Sequence, residues 1–448
     1  MRAYWRRSAD CALARINCAN PLSGCRMPAR AAAASFVCGA LMKHERQVEL
    51  LKQTFAHIDA KTTPLWDAPY WNPAERYTSP DHFQRELSTL FGGQVPLLAG
   101  FSPDLPAPGD WFTCDLPGAP IFLTRTAGGS VKAFLNICRH RGSRLVGFAL
   151  DAQGHFLQHR GRHQHSFSCP YHAWTYDNSG TLIRHTNDMG GFAQLQTRME
   201  CGQFNLIEVP CLETAGMLLV RPQGKEPIDA ERDTFGMHSR MGEFGFANFH
   251  FYQEVFWDFA ANWKLLLETF MEGYHIAALH RNTLAPRFRC YPVIYECFGP
   301  HALFPLPRKS IDEQRHLPEA QWSVLKHAST IFSVSPHAVL NIPMDGHMEL
   351  WDFEPLDVGR TRARVRFYIP QAIASEADAA RWNKSWKVST EVISGEDFTQ
   401  QQNIHINLAS GRRPGVVFGQ NEPMLSHFHR ELGKLTGVPD APLPESFF

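Results

Sequence analysis

The chain has 448 residues, enough for roughly two to four domains or one large fold carrying an inserted module. With 44% apolar and 20% charged residues it can bury a sizeable core, which excludes wholesale disorder, and 44 Lys+Arg against 44 Asp+Glu argue against a globally basic nucleic-acid binder. The longest apolar run, Ala31 to Met42, is too short to span a bilayer, and 11 Cys are too dilute for a disulfide scaffold; set beside 22 His, they point to metal.

Residues 1–43 hold seven Lys/Arg, four Cys and a single acid, Asp10. They read either as a disordered extension ahead of a natural start at Met42 or as an Arg-rich, acid-poor leader. Val48, Leu51, Phe55 and Ile58 then recur at helical spacing over 44–60, and a second helix is expected from Ser79 to Phe91. These helices, in 44–92, are expected to pack on the part of the chain that follows residue 225. From about residue 108 the period shortens. The runs at 111–116, 121–126 and 131–137 are rich in aromatic and β-branched residues and are punctuated by Pro117-Gly118 and Gly128-Gly129, which predicts an antiparallel meander. The run 165–176 ends on the turn signal Asp177-Asn178-Ser179-Gly180. After about 225, helices over 260–282, 376–410 and 422–436 alternate with strand-like runs at 347–355 and 362–370. The pattern is α+β, with no regular βαβ repeat.

Two loops each carry a thiolate and an imidazole: Cys138-Arg139-His140, and Cys169-Pro170-Tyr171-His172. Two Cys on one iron and two His on the other is the ligation of a [2Fe–2S] cluster of Rieske type, in which neutral imidazoles raise the potential. Structural zinc is the competing reading, although zinc sites usually pair Cys with Cys and His with His rather than mixing them on each loop.

Cys138-Arg139-His140-Arg141-Gly142 and Cys169 through Tyr176 resemble the two cluster loops of the ring-hydroxylating oxygenase family, α subunit, and Gly109-Asp110, Pro120-Ile121 and Asn136 fit that resemblance. One departure is the 28 residues between His140 and Cys169, more than the family usually has. The excess, Ala149 to Ser166 with His155, His159, His163 and His165, is expected to form a longer surface hairpin.

A second constellation follows Asn262-Trp263-Lys264: Glu268, Glu272, His275 and His280. Five residues apart, His275 and His280 lie about 140° from each other on an ideal helix, so they can share a metal only if the helix ends or bulges between them. Glu272, three residues before His275, would share its helical face. Two His and a carboxylate make the facial triad of non-haem Fe(II) oxygenases. By resemblance Glu268 to His280 is the family's mononuclear-iron helix, and Gly395-Glu396-Asp397-Phe398 supplies the third ligand. Asp397 is the choice, with Glu396 and Glu391 as competing carboxylates. Glu422 with His427-Phe428-His429 resembles the closing helix. Thr269, Glu272, His405 and Asn407 depart from common family residues.

The resemblance implies an α+β fold: an antiparallel β Rieske domain at 93–224, and a catalytic domain at 225–448 with a helix-covered antiparallel sheet. It implies a terminal oxygenase that uses O2 and electrons from NAD(P)H, delivered by a separate flavin/iron–sulfur reductase with or without a ferredoxin. No G-x-G-x-x-G follows a strand to bind a flavin or nicotinamide on this chain. A cytoplasmic homotrimer, with or without a β subunit, is implied, with Glu272 bridging a cluster His of one subunit and an iron His of the next. The substrate is expected to be a small aromatic. The alternative is a choline-, carnitine- or betaine-type quaternary ammonium compound, held by a cation–π cage from Phe251, Tyr252, Phe256 and Trp257 if those are not core. A Rieske electron carrier without oxygenase chemistry is the reading of another class.

Overall fold

The computed structural model describes residues 42–445 apart from 118, 151–158 and 187. The leader or extension reading therefore falls, but for Met42 and Lys43, outside the described residues. The first helix, His44–Ala60, forms as expected, but its inward face is turned by about a residue. It buries Leu50, Leu51 and Phe55 together with Gln47 and Thr54, leaving Val48 and Ile58 half-buried. The polar pair is tolerated because its hydrogen bonds are met on the spot. The Gln47 amide donates to the Met42 carbonyl at 2.7 Å and accepts from Ser323 Oγ at 2.9 Å; Thr54 Oγ1 donates to the Leu50 carbonyl at 2.7 Å. The second helix, Pro80–Thr89, starts with Pro at its first position and is capped by Ser79, whose hydroxyl accepts from the His82 amide.

The expected meander is a five-stranded antiparallel sheet, ordered Glu208–Val209, Val131–Leu135, Ala119–Arg125, Trp111–Leu116, Arg160–Gly161. A three-stranded sheet of Ser166–Ser168, Thr175–Asp177 and Leu182–Arg184 carries the second Cys/His loop, between its first two strands. The middle of the His-rich stretch, 151–158, lies outside the described residues; its return limb joins the sheet. Arg160–Gly161 pairs with Trp111 and Phe112, and a Cβ on Gly161 would meet the Trp111 ring at 2.4 Å. His159 packs on Phe256 at 4.4 Å.

A seven-stranded antiparallel sheet follows, ordered His250–Phe259, Arg360–Ile369, Met348–Asp357, Ala338–Ile342, Ala328–Val334, His301–Pro307, Glu296–Phe298. Only the two strands at 348–369 are plain in the sequence. His301–Pro307 carries Pro305 and Pro307, which normally argue against a strand interior.

Helices cover this sheet through one core containing Trp263, Leu266, Leu267, Phe270, Trp351, Phe353 and Phe398. The helix expected over 260–282 is two: Trp263–Glu268, capped by Asn262, and a single turn, Ile276–Leu279. Between them Gly273 runs so close to the Cys290 carbonyl that a Cβ would sit 2.7 Å from its oxygen. The helix expected over 376–410 runs from Glu376 to Ala409, but a π turn, Ile393–Asp397, interrupts its register.

Buried charges tie the five-stranded sheet to the seven-stranded one. Asp104 accepts from Tyr368 Oη at 2.7 Å, Arg366 at 3.3 Å and Arg160 at 3.2 Å; Arg366 and Arg364 also reach Asp352 at 3.0 Å. Asp104→Ala leaves Arg160 with Glu254 and Arg366 with Asp352 but removes the carboxylate they share with Tyr368, and is expected to cost about 2–3 kcal/mol, read as a lower urea midpoint. An unchanged midpoint would mean that water replaces the carboxylate.

Candidate metal centres

The first centre sits on two tight loops. The Cys138 amide donates to the Ser143 carbonyl at 2.8 Å and Gly142, at φ 77°, returns its amide to the Cys138 carbonyl at 3.0 Å. The Cys169 amide donates to the Trp174 carbonyl at 2.8 Å, with Ala173 held at φ 57°. Both thiols are buried, and burial pushes the Cys138 thiol pKa up. Tyr176 Oη lies 3.6 Å from Cys138 Sγ and accepts from the Arg139 amide at 3.2 Å. The His140 and His172 rings lie 4.5 Å apart, and Trp174 stacks on His140. Nδ1 of each histidine is buried without a hydrogen-bond partner, as suits a nitrogen reserved for a metal.

These four donors do not suit structural zinc. Among the described residues, the only set of three or more His, Cys, Asp or Glu whose ligand atoms all lie within 4.8 Å of one another is His275, His280 and Asp397. The Cys/His set is spaced wider than one ion spans, while two buried thiols and two orphaned imidazole nitrogens fit a cluster with two irons.

The second centre is that close set. Helical periodicity could not bring His275 and His280 together; the broken helix does, because they bracket the single turn Ile276–Leu279 with rings 5.1 Å apart. Asp397 lies at the end of the π turn, where Phe398 anchors the chain against Phe259, Phe270, Trp351 and Phe353. Asp397 Oδ1 lies 3.2 Å from His280 Nε2 and 3.4 Å from His275 Nε2, and it accepts from Thr269 Oγ1 at 2.8 Å. Its Oδ2 is buried with no partner. Two facing Nε2 atoms and an orphaned carboxylate oxygen fit a single Fe(II).

The two competing carboxylates are elsewhere. Glu391 pairs with Lys387 on the exposed face of its helix at 3.7 Å. Glu396 takes the far side of His280, accepting at Nδ1 at 2.7 Å and from Thr283 Oγ1 at 2.9 Å. Glu272 does the same for His275. One oxygen meets Nδ1 and the other accepts from the amides of Tyr274 and His275, so it lies in a turn beside His275 rather than on a shared helical face. Both imidazoles are thereby fixed with Nδ1–H outward and Nε2 toward Asp397. Burial opposes charge on His275, but Asp397 and Glu272 outweigh it and raise its pKa to about 10; burial likewise opposes a charged Asp397, whose carboxyl the two imidazoles nonetheless hold below the ordinary range.

This centre opens into a cavity of about 600 Å³. Its lining includes Phe270, Phe288, Leu306 and Ile331 with Arg287, Arg308, His347 and Glu349. The expected aromatic cage is not there. Phe251, Tyr252, Phe256 and Trp257 lie on the sheet-edge strand His250–Phe259 and are absent from the lining. Arg160 covers Phe251 at 3.5 Å, and Trp257 stacks on Trp351. Four charged lining residues, Arg287, Arg308, His347 and Glu349, were not singled out from the sequence, because they fall in segments with no motif.

Two family descriptions match the chain: "Rieske [2Fe-2S] domain" over residues 96–195, and "Ring hydroxylating alpha subunit (catalytic domain)" over residues 246–437. The chain belongs to the Rieske ring-hydroxylating oxygenase family, as an α subunit. The oxygenase subunit of glycine betaine monooxygenase from Chromohalobacter salexigens is 30% identical over 213 residues, 47% of this chain and 43% of that one. Toluate 1,2-dioxygenase subunit alpha from Pseudomonas putida is 27% identical over 227 residues, 47% and 44%. These matches span less than half the length of the curated relatives. Among solved structures, a quaternary ammonium Rieske monooxygenase with L-carnitine has a TM-score of 0.66 at 19% identity, covering 83% of this chain and 96% of that one. Naphthalene 1,2-dioxygenase from Rhodococcus has 0.63 at 18% identity, covering 88% and 99%. The α+β fold of this chain, with helices over its seven-stranded antiparallel sheet, is that of these proteins. No helix among the described residues is long and apolar enough to cross a membrane.

Proposed function

We propose that the chain is the terminal oxygenase component of a Rieske non-haem iron system. Residues 93–224 would carry the cluster on Cys138, His140, Cys169 and His172, and residues 225–448 the single iron on His275, His280 and Asp397. The observation that carries the reading is the coexistence of two donor sets of different chemistry, the second of which opens into a ligand-sized cavity. When bound, the cluster supplies electrons singly and the iron binds and activates O2. The chain's own part is positioning. Glu272 and Glu396 hold the imidazole tautomers, Thr269 fixes Asp397, and Phe270, Phe288, Leu306 and Ile331 give the cavity an apolar wall.

The reaction class is oxygen addition to a small organic substrate, as hydroxylation, dihydroxylation or oxidative demethylation. Relatives named for aromatic and for quaternary ammonium substrates both occur, so an aromatic substrate leads and a quaternary ammonium compound is the alternative. Electrons would come from NAD(P)H through a flavin/iron–sulfur reductase, with or without a ferredoxin. The assembly would be a cytoplasmic homotrimer, with or without a β subunit. Iron analysis tests the reading. About three Fe per chain, with reductase-dependent O2 uptake, supports the oxygenase; about two with no uptake makes it an electron carrier; zinc in their place sinks both.

Glu272 gives a sharper test. In addition to holding His275, the family reading has it reach a cluster histidine of the next subunit. Glu272→Gln keeps the volume and is expected to keep both metals while slowing single-turnover product formation roughly 10- to 100-fold. Wild-type single-turnover rates would leave Glu272 a merely structural residue.

A further inference from the structure

The iron cavity contains a guanidinium with nothing to bind. Phe288 and Arg308 face each other across an isolated antiparallel bridge, and the Arg308 guanidinium lies over the Phe288 ring at 4.8 Å. The backbone there is pinned: the Arg289 amide donates to the Pro307 carbonyl at 2.9 Å, and the Arg308 amide to the His327 carbonyl at 2.7 Å. Arg308 lines the same cavity as His275, His280 and Asp397. Its Nε is buried with no hydrogen-bond partner, and no carboxylate among the described residues pairs with it. The nearby acid that acts on it, Asp345, is already engaged by Ser385 Oγ at 2.7 Å and by His347 at 2.6 Å.

The contrast with the other inward arginines is direct. Arg160, Arg364 and Arg366 each meet a carboxylate. Arg308 meets an aromatic face and a second cation: Arg287 lines the same cavity, and after burial it is the main influence lowering the Arg308 pKa. Two guanidiniums lining one cavity, neither ion-paired to a carboxylate among the described residues, is an unfavourable arrangement that a bound anion relieves. A planar guanidinium stacked on a ring, with its edge free, is the group that grips a carboxylate through two parallel N–H···O bonds.

Of the cavity's other charges, Arg381 lies over the Trp382 ring at 4.3 Å and donates to the Asp345 carbonyl at 3.2 Å, and Lys384 is an exposed ammonium. Glu349 is saturated by His347 at 2.7 Å, Asn341 at 3.1 Å, Trp351 at 3.1 Å and Ser389 at 2.5 Å. The lining also includes the apolar Phe270, Phe288, Leu306 and Ile331, alongside the polar Ser329, Asn341 and Ser385. A cationic clamp next to an apolar wall suits a molecule with an anionic end and a hydrocarbon body.

We propose that Arg308, stacked on Phe288, binds the carboxylate of the substrate, so that the enzyme acts on a small organic acid whose oxidisable carbon lies toward His275, His280 and Asp397. Arg287, more exposed, draws the acid in. The assignment rests on the oxygenase reading for what happens to the acid, but not for whether it binds.

The test is calorimetric binding to the metal-loaded protein, with iron content measured for every variant. The probes are benzoate with its neutral counterpart benzamide, hexanoate with hexanamide, and inorganic phosphate. The wild type is expected to bind at least one acid roughly 10- to 100-fold more tightly than its amide. Which pair shows the larger ratio tells an aromatic from an aliphatic body. Arg308→Met should lose that preference and keep amide binding and iron; Arg308→Lys should retain part of it. Equal binding of acid and amide by the wild type, no binding of either acid at millimolar concentration, or a full preference in Arg308→Met would each overturn the proposal. So would phosphate displacing the acid at equal concentration, which would make the site one for inorganic anions. Full iron content and acid binding without O2 uptake would instead sink the oxygenase reading and leave the carboxylate site standing.

Discussion

Asp397→Ala is expected to lower the iron content from about three per chain to about two and to abolish product formation, with the visible and EPR signatures of the cluster unchanged. The reason is both charge and place. A divalent iron held by two neutral imidazoles needs an anionic donor, and Asp397 Oδ1 is the carboxylate oxygen that faces both Nε2 atoms. No neighbour can substitute, because Glu396 and Glu272 already occupy the Nδ1 sides of the two rings. Glu396→Ala is the control. It should keep the second iron and weaken its retention roughly 10- to 100-fold, as loss of an orienting partner does. If Asp397→Ala stays active while Glu396→Ala loses iron outright, the ligand is the neighbouring residue.

Cys138→Ser and His172→Ala are expected to bleach the cluster's absorption and EPR signal and to remove about two irons per chain. Each takes one donor from a set of four, and a hydroxyl or a methyl does not replace a thiolate or imidazole on iron. The loop contacts sort the outcome. The Cys138 loop is closed by backbone bonds to Ser143 and from Gly142, which the serine variant leaves in place, so loss of colour there reports ligation and not unfolding. The His275, His280 and Asp397 set lies on other elements and should retain its iron. A colourless wild type with stoichiometric zinc would end the cluster assignment.

The two cluster loops were legible because their chemistry is local: each pair of donors lies within four residues, flanked by strands and turns. The second centre was legible only in part. The sequence placed His275 and His280 together on the strength of residue types while helical geometry spoke against it; the resolution lies in a helix break forced by Gly273's approach to Cys290 and capped by Glu272, neither of which leaves a periodic mark. Asp397 could be singled out from Glu396 only by family likeness, since adjacent acids look alike in a string and differ in which nitrogen they face. The strands that wall the cavity were hidden. His301–Pro307 carries two prolines, and Ala328–Val334 and Ala338–Ile342 are so fully buried that they show little alternation. The residues unforeseen there, Arg308 above all, are the ones that would choose the substrate.

The π turn that ends on Asp397 has a consequence for anyone trying to harden this protein. A π turn accommodates one residue more than an α turn, so winding Ile393–Asp397 as regular α-helix with no residue removed would swing the carboxylate by up to about 100° around its axis. Gly395 lies inside that turn with open space where a side chain would go. Nothing steric forbids alanine there, and alanine favours the regular helix by roughly 1 kcal/mol. The changes that a search for thermostability would select in this stretch are thus those that pull the helix toward uniformity. The metal site depends on an irregularity that such selection would tend to erase.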